Sequence, residues 1–248
     1  MSIVTKTFGV SCAVLPVIHI QTRSQCYDEA LTALECGANG VFVIDHGGDY
    51  SLTAEIAEEV WHYLRSEGHE MPFVGVNLLG IERPADAYRY LHERRAYDVG
   101  GVWCDKAACD GKDAEAVKRE DSDGVWRSLF FASCAFKYQP QPLDVAEAAW
   151  REIAFGADVV TTSGPATGKA CDPAKVRAIR AAVGEHYGVA VASGVTPDNA
   201  ASLVRAGVDH ILVATGIAKD IGNGKKDFHR MDPAKLRALI ANVREAAR

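Results

Sequence analysis

Polar side chains follow the short apolar segments of this sequence, at the points where those segments end. Such segments are typical of buried β-strands, and packing does not require a charged or hydroxyl-bearing residue directly after them. If the strands are parallel, their carboxyl ends meet at one face of the fold and bring these side chains together. The residues concerned are His19, Asp45, His46, Asn77, Asp105, Lys106, Lys137, Thr162, Ser163, Ser193 and Thr215.

Three stretches with glycine follow the last three apolar segments, at Ser163–Gly168, Ser193–Thr196 and Ala214–Ile217. Glycine lets backbone N–H groups approach an anion closely, and serine and threonine hydroxyls add further donors. Loops of this kind frequently hold a phosphate group. The alternative is that they are only tight turns between strand and helix. The pattern favours a phosphate site formed by Gly164, Thr167, Gly168, Ser193, Gly194, Thr215 and Gly216.

Lys137 stands at the end of an apolar segment that covers residues 128–136. A lysine there can act as a general acid, as a charge that stabilises a phosphate or an oxyanion, or as a Schiff-base nucleophile. A lysine that merely extends its ammonium group into solvent is the alternative. Asp45 lies in a glycine-containing turn and can act as a base. We predict Lys137, Asp45 and His19 as catalytic residues, with substrate contacts from Asn77, His46, Asp105, Thr162 and Ser163.

The sequence predicts no cofactor and no dedicated metal site. The first apolar segment ends in His19-Ile20-Gln21, without the His-x-His pair of many hydrolytic metal sites, and no His-Glu-x-x-His string occurs. A Mg²⁺ ion held by Asp45 and Asp105 through a substrate phosphate is the alternative. No Cys-x-x-Cys pair occurs, so we expect reduced, structural thiols. The seven cysteines are Cys12, Cys26, Cys36, Cys104, Cys109, Cys134 and Cys171.

Eight apolar segments alternate with stretches of helical periodicity, which predicts a repeated order of strand and helix. They cover residues 14–20, 41–45, 73–77, 101–104, 128–136, 158–162, 189–193 and 211–215. This order predicts a single (β/α)8 TIM barrel over residues 1–248. A doubly wound open sheet is the alternative, but the glycine-rich dinucleotide turn is missing after the first segment.

A short string of helix end, glycine and apolar segment recurs at residues 36–41, 155–160 and 206–211, with a looser copy at 97–102. Glycine there suits the left-handed position just past a helix. Two long stretches interrupt the order, at residues 105–124 and 216–231. Both would follow strands at the carboxyl face, so we predict a lid or a partner surface at each, with an inert solvated loop as the alternative.

The composition is that of a soluble globular chain, with a formal net charge of −6, 48% apolar residues and 24% charged residues. The acidic balance, without a basic cluster, argues against nucleic acid as a partner. No apolar run reaches the ~18 residues of a membrane helix, and the amino terminus does not have the pattern of a signal peptide. We expect a cytoplasmic protein that forms a homo-oligomer and binds a phosphorylated small molecule.

Strings at the ends of the predicted strands resemble those of the BtpA/SgcQ family of barrel proteins. The similar segments are Val17–Ile20, Gly48–Asp49, Gly75–Asn77, Lys137, Ala166–Gly168, Ser193–Thr196 with Asn199, and Val213–Lys219. The chain departs from the family pattern at Gln21–Ser24, where a Pro-rich segment is usual, at Tyr138, where a His is usual, and in the loop after the fourth strand. The resemblance implies a TIM barrel, and some relatives are labelled phosphoribosyltransferases by similarity.

Two hypotheses about function follow. The first is an enzyme that acts on a phosphorylated sugar or nucleotide-like small molecule, by isomerase, lyase or phosphoribosyl-transfer chemistry. The second is a non-catalytic assembly or regulatory factor of the BtpA type, with a barrel mouth that senses a ligand and long loops that contact partners. A bound phosphorylated metabolite in the purified protein would favour an enzyme or a sensor.

Overall fold

The chain forms a closed barrel of eight parallel strands, which confirms the predicted fold class. The computed structural model describes residues 1–105 and 128–248. The barrel strands are β1 (Ala13–His19), β2 (Val41–Ile44), β3 (Val74–Asn77), β4 (Val99–Cys104), β5 (Leu129–Ser133), β6 (Val159–Thr162), β7 (Gly188–Ala192) and β8 (His210–Val213). Each strand pairs with its neighbours in sequence, and β8 closes the barrel on β1.

Helices cover the outside of the barrel, as the apolar periodicity predicts. In the described residues they are α1 (Ile3–Phe8), α2 (Arg23–Glu35), α3 (Tyr50–Ser66), α4 (Pro84–Arg94), α5 (Val145–Ala154), α6 (Pro173–Val183), α7 (Pro197–Arg205) and α8 (Pro233–Ala246). The side chains of Asp172 and Asp232 cap α6 and α8, each directly before a proline in the first turn.

Inward-facing side chains fill the barrel interior toward its amino-terminal end. The interior cluster includes Leu15, Phe42, Phe131 and Leu212, all nearly or fully buried. Helix α1 adds Val4 and Phe8 to this cluster from below, and the Phe8 ring meets the edge of Phe73 at 4.8 Å between centroids. α1 and its side chains thus cover the amino-terminal end of the barrel, opposite the carboxyl face where TIM barrels carry their sites.

The glycines of the recurring string end the preceding helices in a left-handed backbone conformation, as the sequence predicts. Their φ angles are +92° at Gly37, +99° at Gly156 and +110° at Gly207.

The polar residue two positions after each glycine clamps the preceding strand, with one backbone bond and one side-chain bond. Asn39 pairs in this way with Val14, Asp158 with Phe130, and Asp209 with Val189, at 2.8 to 3.0 Å. Three strand pairs, β1–β2, β5–β6 and β7–β8, are joined by this clamp. In the looser copy the corresponding residue, Asp98, instead lies 3.8 Å from His62.

Part of the long stretch after β8, residues 216–231, forms regular secondary structure. Residues 218–231 contain an antiparallel hairpin of β9 (Ala218–Asp220) and β10 (Lys226–Met231), with Asn223 in a left-handed turn position. An Asn-Gly pair is a common hairpin signal. The other long stretch, residues 105–124, lies outside the described residues except for Asp105.

At two of the strands that end before their apolar segments do, a left-handed backbone position accounts for the early end. The fifth apolar segment runs to residue 136, but β5 ends at Ser133 because Ala135 has a φ of +48° and cannot continue a strand. The seventh segment likewise loses its last residue, since Ser193 has a φ of +75°. Both departures occur at the carboxyl face.

Candidate functional site

A cavity of about 390 Å³ opens at the carboxyl end of the barrel. Its volume is in the usual range for a site that binds a small molecule. Side chains of barrel strands, of the loops after them and of the hairpin line it. They are Val17, His19, Ile44, His46, Trp103, Asp105, Lys137, Thr167, Ala192, Ser193, Leu212, Ala214, Thr215, Phe228 and His229.

Lys137 reaches this cavity from a strained turn. Ala135 and Tyr138, on either side of Phe136-Lys137, both have left-handed backbones, with φ of +48° and +64°. Such conformations are unfavourable for residues other than glycine, and they persist where surrounding contacts enforce them, often at functional sites. The turn therefore presents Lys137 at a fixed position instead of letting the strand continue outward.

Buried polar groups hold this turn in place. The Ser163 hydroxyl, fully buried, accepts the Lys137 backbone N–H at 2.7 Å and donates to the Gly164 carbonyl at 2.8 Å. The Lys175 ammonium group of α6 donates to the carbonyls of Ala135, at 2.9 Å, and Ser163. Sequence reasoning assigned Ser163 to the substrate and missed Lys175, whose only sequence signal is its place in the first turn of α6.

The Lys137 ammonium group lies between two loops. Its Nζ is 3.4 Å from the Thr167 hydroxyl and 5.6 Å from the centroid of the Phe136 ring. The Tyr138 hydroxyl lies 3.3 Å from the same Thr167 hydroxyl and accepts the Thr167 N–H at 3.4 Å. These bonds lower the pKa of Tyr138. Lys137 thus faces the loop after β6, where the sequence predicts a phosphate.

Asp105 places a carboxyl group in the same cavity. Its Oδ1 accepts a hydrogen bond of 3.0 Å from the Asn77 amide, and the Gln139 side chain donates to its carbonyl. Burial raises the pKa of Asp105, against the opposing effects of Asn77, Lys137 and His46. A carboxyl group with a raised pKa beside a lysine can accept and return a proton.

His19 ends β1 and meets His46 from the loop after β2, with 3.0 Å between His19 Nδ1 and His46 Nε2. Burial lowers the pKa of His19 to about 4, and His46, His229 and Lys137 add to this effect. His19 is therefore neutral at pH 7 and carries one N–H donor and one acceptor nitrogen. It can orient a substrate group or polarise a carbonyl without a charge.

Several predicted residues support the cavity without lining it. The Asp45 carboxylate accepts the Asp49 N–H at 2.8 Å, at the start of α3, and is absent from the cavity wall. Asn77 is buried beneath Asp105, and Thr162 is buried, with its hydroxyl 3.4 Å from the Ala135 carbonyl. The structure therefore brings together Lys137, His19, His46 and Asp105 but not Asp45.

The glycines after β6, β7 and β8 allow the loops to stack on one another. A Cβ atom on Gly164 or Gly194 would come within 2.1 or 2.0 Å of the Lys169 carbonyl oxygen, and one on Gly216 within 1.8 Å of the Val195 carbonyl oxygen. Loop packing thus accounts for these three glycines independently of any anion. Gly168 is different, because a Cβ there would meet nothing closer than 3.9 Å.

Donors for an anion are nevertheless present on this side of the cavity. The hydroxyls of Thr167, Ser193 and Thr215 line the wall, and the Ser193 hydroxyl accepts the Gly168 N–H at 3.1 Å. Among the described residues, no protein acceptor pairs with the backbone N–H groups of Gly194 and Gly216. Unpaired amides in successive loops are suited to a phosphate.

The hairpin contributes Phe228 and His229, which sequence reasoning missed. Two side chains of α2 anchor β10: the Gln25 amide donates to the His229 carbonyl at 2.7 Å, and the Glu29 carboxylate accepts the Met231 N–H at 2.7 Å. The His229 Nδ1 atom lies 3.2 Å from the His19 carbonyl oxygen. The Asn-Gly turn could have predicted the hairpin, but no sequence signal places its two side chains over the cavity.

Within residues 1–105 and 128–248, no group of three His, Cys, Asp or Glu side chains is arranged to hold a metal ion. The six cysteines of this part are buried and form no disulfide with one another. Burial raises the pKa of each of five of these thiols, to about 11 at Cys26 and about 12 at Cys134. Among the helices that the structure describes, none is long and apolar enough to cross a membrane.

Comparison with known proteins shows similarity of fold only. No family model matches the chain, and no curated protein matches its sequence. Among solved structures, a thiamine phosphate pyrophosphorylase from Pyrococcus furiosus has 17% identity and a TM-score of 0.64, over 95% of this chain and 97% of the other. A 3-hexulose-6-phosphate synthase has 14% identity and a TM-score of 0.65, over 93% and 99%.

A phosphoribosyl anthranilate isomerase from Thermus thermophilus is similar at 16% identity, with a TM-score of 0.60 over 93% of this chain and 98% of the other. All three names are those of enzymes of phosphorylated compounds. At these identities the likeness establishes a common barrel and not a common reaction. Membership in the BtpA/SgcQ family stays a prediction. The chain is a TIM barrel structurally similar to enzymes of phosphorylated small molecules.

Proposed function

We propose that this chain is an enzyme that acts on a phosphorylated small molecule bound in the cavity at the carboxyl face. One observation carries the proposal: groups able to move protons or stabilise charge and donors for an anion line the same cavity. Asp105 and His19 line it together with hydroxyl-bearing residues after β6, β7 and β8, and the Lys137 Nζ atom lies 3.4 Å from one of these hydroxyls, that of Thr167.

The phosphate would bind on the side of Thr167, Ser193 and Thr215. The Lys137 ammonium group now has a weak hydrogen bond of 3.4 Å to the Thr167 hydroxyl, and it would pair with the negative charge of the bound phosphate instead. The amides of Gly194 and Gly216, which have no acceptor within the described part of the chain, would add donors from the neighbouring loops. Charge-assisted hydrogen bonds of this kind contribute about 1.5–3 kcal/mol each, roughly twice the contribution of a neutral bond.

The remaining groups suit proton transfer next to a carbonyl. Asp105, with its raised pKa, would take and return the proton, and neutral His19 would donate a hydrogen bond to the oxygen on which charge develops. These roles fit an isomerase or a lyase. Phosphoribosyl transfer needs charge stabilisation at a leaving pyrophosphate, and Lys137 and the two amides could supply it equally well. Turnover assays with a sugar phosphate and with a phosphoribosyl donor would separate these classes. The catalytic role that the sequence suggested for Asp45 passes to Asp105.

The test is binding of inorganic phosphate, measured by isothermal titration calorimetry on the wild type and on Lys137→Met. Removal of the ammonium group should weaken binding by about tenfold to a hundredfold. Lys219→Met is the matched control, because it removes the same charge from an exposed position that does not line the cavity. Equal affinities in the wild type and Lys137→Met would refute the site. Binding without turnover of any sugar phosphate would favour the non-catalytic alternative.

A further inference from the structure

The floor of the cavity is apolar, although its rim is polar. Among the described residues, the side chains that line it below the rim are Val17, Ile44, Trp103, Ala192, Leu212 and Ala214. Trp103 brings the one polar atom of this set, its indole N–H, and that group donates to the buried Ser133 hydroxyl at 3.2 Å. Trp103 therefore offers a ligand only the surface of its ring.

This floor is unsuited to a chain of hydroxyl groups. A hydroxyl that leaves water and finds no partner costs about 1–3 kcal/mol, so a polyhydroxylated substrate needs a polar group opposite each of its oxygens. The Asn77 amide, which lies nearby, is committed to Asp105 at 3.0 Å. The polar groups that remain, at the rim, are sufficient for a phosphate and one reacting centre.

An aromatic side chain of the hairpin covers the same cavity. The Phe228 ring lies nearly parallel to the His19 ring, with 18° between the planes and 6.4 Å between the centroids. Phe228 is 47% exposed, which is unusual for a phenylalanine that contributes to a cavity wall. It would lose most of that exposure to a ligand that lay against its face.

We propose that the substrate carries a flat aromatic or heteroaromatic ring beside its phosphate group, with the ring on the Trp103 floor and against Phe228. This inference rests on the proposed function and narrows its substrate class. Aromatic rings favour contact with other rings over contact with saturated groups of equal size, through stacked or edge-to-face geometry. A small sugar phosphate would bind through its phosphate alone.

Four probes test the inference by calorimetry: inorganic phosphate, ribose 5-phosphate, cyclohexyl phosphate and phenyl phosphate. We expect phenyl phosphate to bind about tenfold more tightly than ribose 5-phosphate, from the apolar surface that it buries. It should bind about threefold more tightly than cyclohexyl phosphate, which has a similar size but no aromatic face. Phe228→Ala should reduce both preferences, because one of the two aromatic surfaces is lost while the apolar floor remains, and it should leave the affinity for inorganic phosphate unchanged.

Ile221→Ala is the matched control, because Ile221 is an exposed apolar residue of the same hairpin and does not line the cavity. It should leave all four affinities unchanged. If ribose 5-phosphate or cyclohexyl phosphate binds as tightly as phenyl phosphate, the proposed aromatic ring is refuted and the phosphate site stands. Preferences that are undiminished in Phe228→Ala would have the same meaning. Failure of all four probes to bind would refute the proposed function itself.

Discussion

Substitution of Gly194 by alanine tests how the loops at the carboxyl face are held together. The new Cβ atom would lie 2.0 Å from the carbonyl oxygen of Lys169 and 2.3 Å from its carbonyl carbon. Both are backbone atoms, so no side-chain rotation relieves the contact. The loop after β6 must then move away from the loop after β7, and it carries Thr167 with it.

Gly168→Ala provides the reference, because the two glycines share a left-handed backbone. Their φ angles are +72° at Gly194 and +76° at Gly168, so each alanine has the same conformational cost of about 1–2 kcal/mol. At Gly168 the nearest atom to a new Cβ is 3.9 Å away, whereas at Gly194 overpacking adds about 1–3 kcal/mol. We expect losses of about 1–2 kcal/mol for Gly168→Ala and about 2–5 kcal/mol for Gly194→Ala.

Urea denaturation followed by far-UV circular dichroism measures both free energies of unfolding. The phosphate affinity of each variant, measured while it is folded, shows whether the displaced loop also loses the anion. If the two variants unfold with the same free energy, to within about 0.5 kcal/mol, the close approach of the two loops does not contribute to stability and this reasoning is wrong.

Three other predictions concern single groups. Burial depresses the pKa of His19 in the folded state to about 4 from its ordinary value of 6.5, so its contribution to stability is present above pH 6.5 and is lost as the pH falls toward 4. His19→Gln should flatten that part of the pH profile in urea denaturation, and an unchanged slope would contradict the assignment. Asp209→Ala should cost about 3 kcal/mol or more in the same assay, because its carboxylate binds the Val189 N–H, the His210 ring and the Arg180 guanidinium at 2.6 to 2.8 Å. Thiol counting should return seven thiols in denaturant without reductant and few in the native protein, and recovery of only five in denaturant would indicate a disulfide.

The barrel could be predicted because its signals are local. A continuous apolar segment is enough to indicate a strand covered on both faces, and a glycine after a helix is enough to predict the left-handed residue found at Gly37, Gly156 and Gly207. The capping residues Asp172 and Asp232 likewise act within one turn of helix. None of these features depends on what the rest of the chain does.

The site could be predicted only in part, because the direction of a side chain at a strand end depends on tertiary contacts. Alternation along a strand places Asp105 on the inner face with Trp103, two residues before it, and this could have been read from the sequence. The direction of the Lys137 side chain could not be predicted from the sequence. It depends on left-handed residues that Lys175, 38 positions further along the sequence, helps to hold. Asp45 directly follows the inward-facing Ile44, so the same alternation places Asp45 on the outer face, where its carboxylate binds the turn toward α3.

The clamps formed by Asn39, Asp158 and Asp209 divide the barrel into modules of two strands. Each clamp joins an odd-numbered strand to the one after it, so the first, third and fourth quarters of the barrel repeat one design. The second quarter lacks the clamp at Asp98, and its ladder between β3 and β4 is the one barrel pairing, in the part of the chain that the structure describes, whose register shifts. The barrel thus consists of four two-strand units, of which three share the clamp and the fourth, β3–β4, does not have it. Its β3–β4 seam is where we expect the closed cylinder to open first.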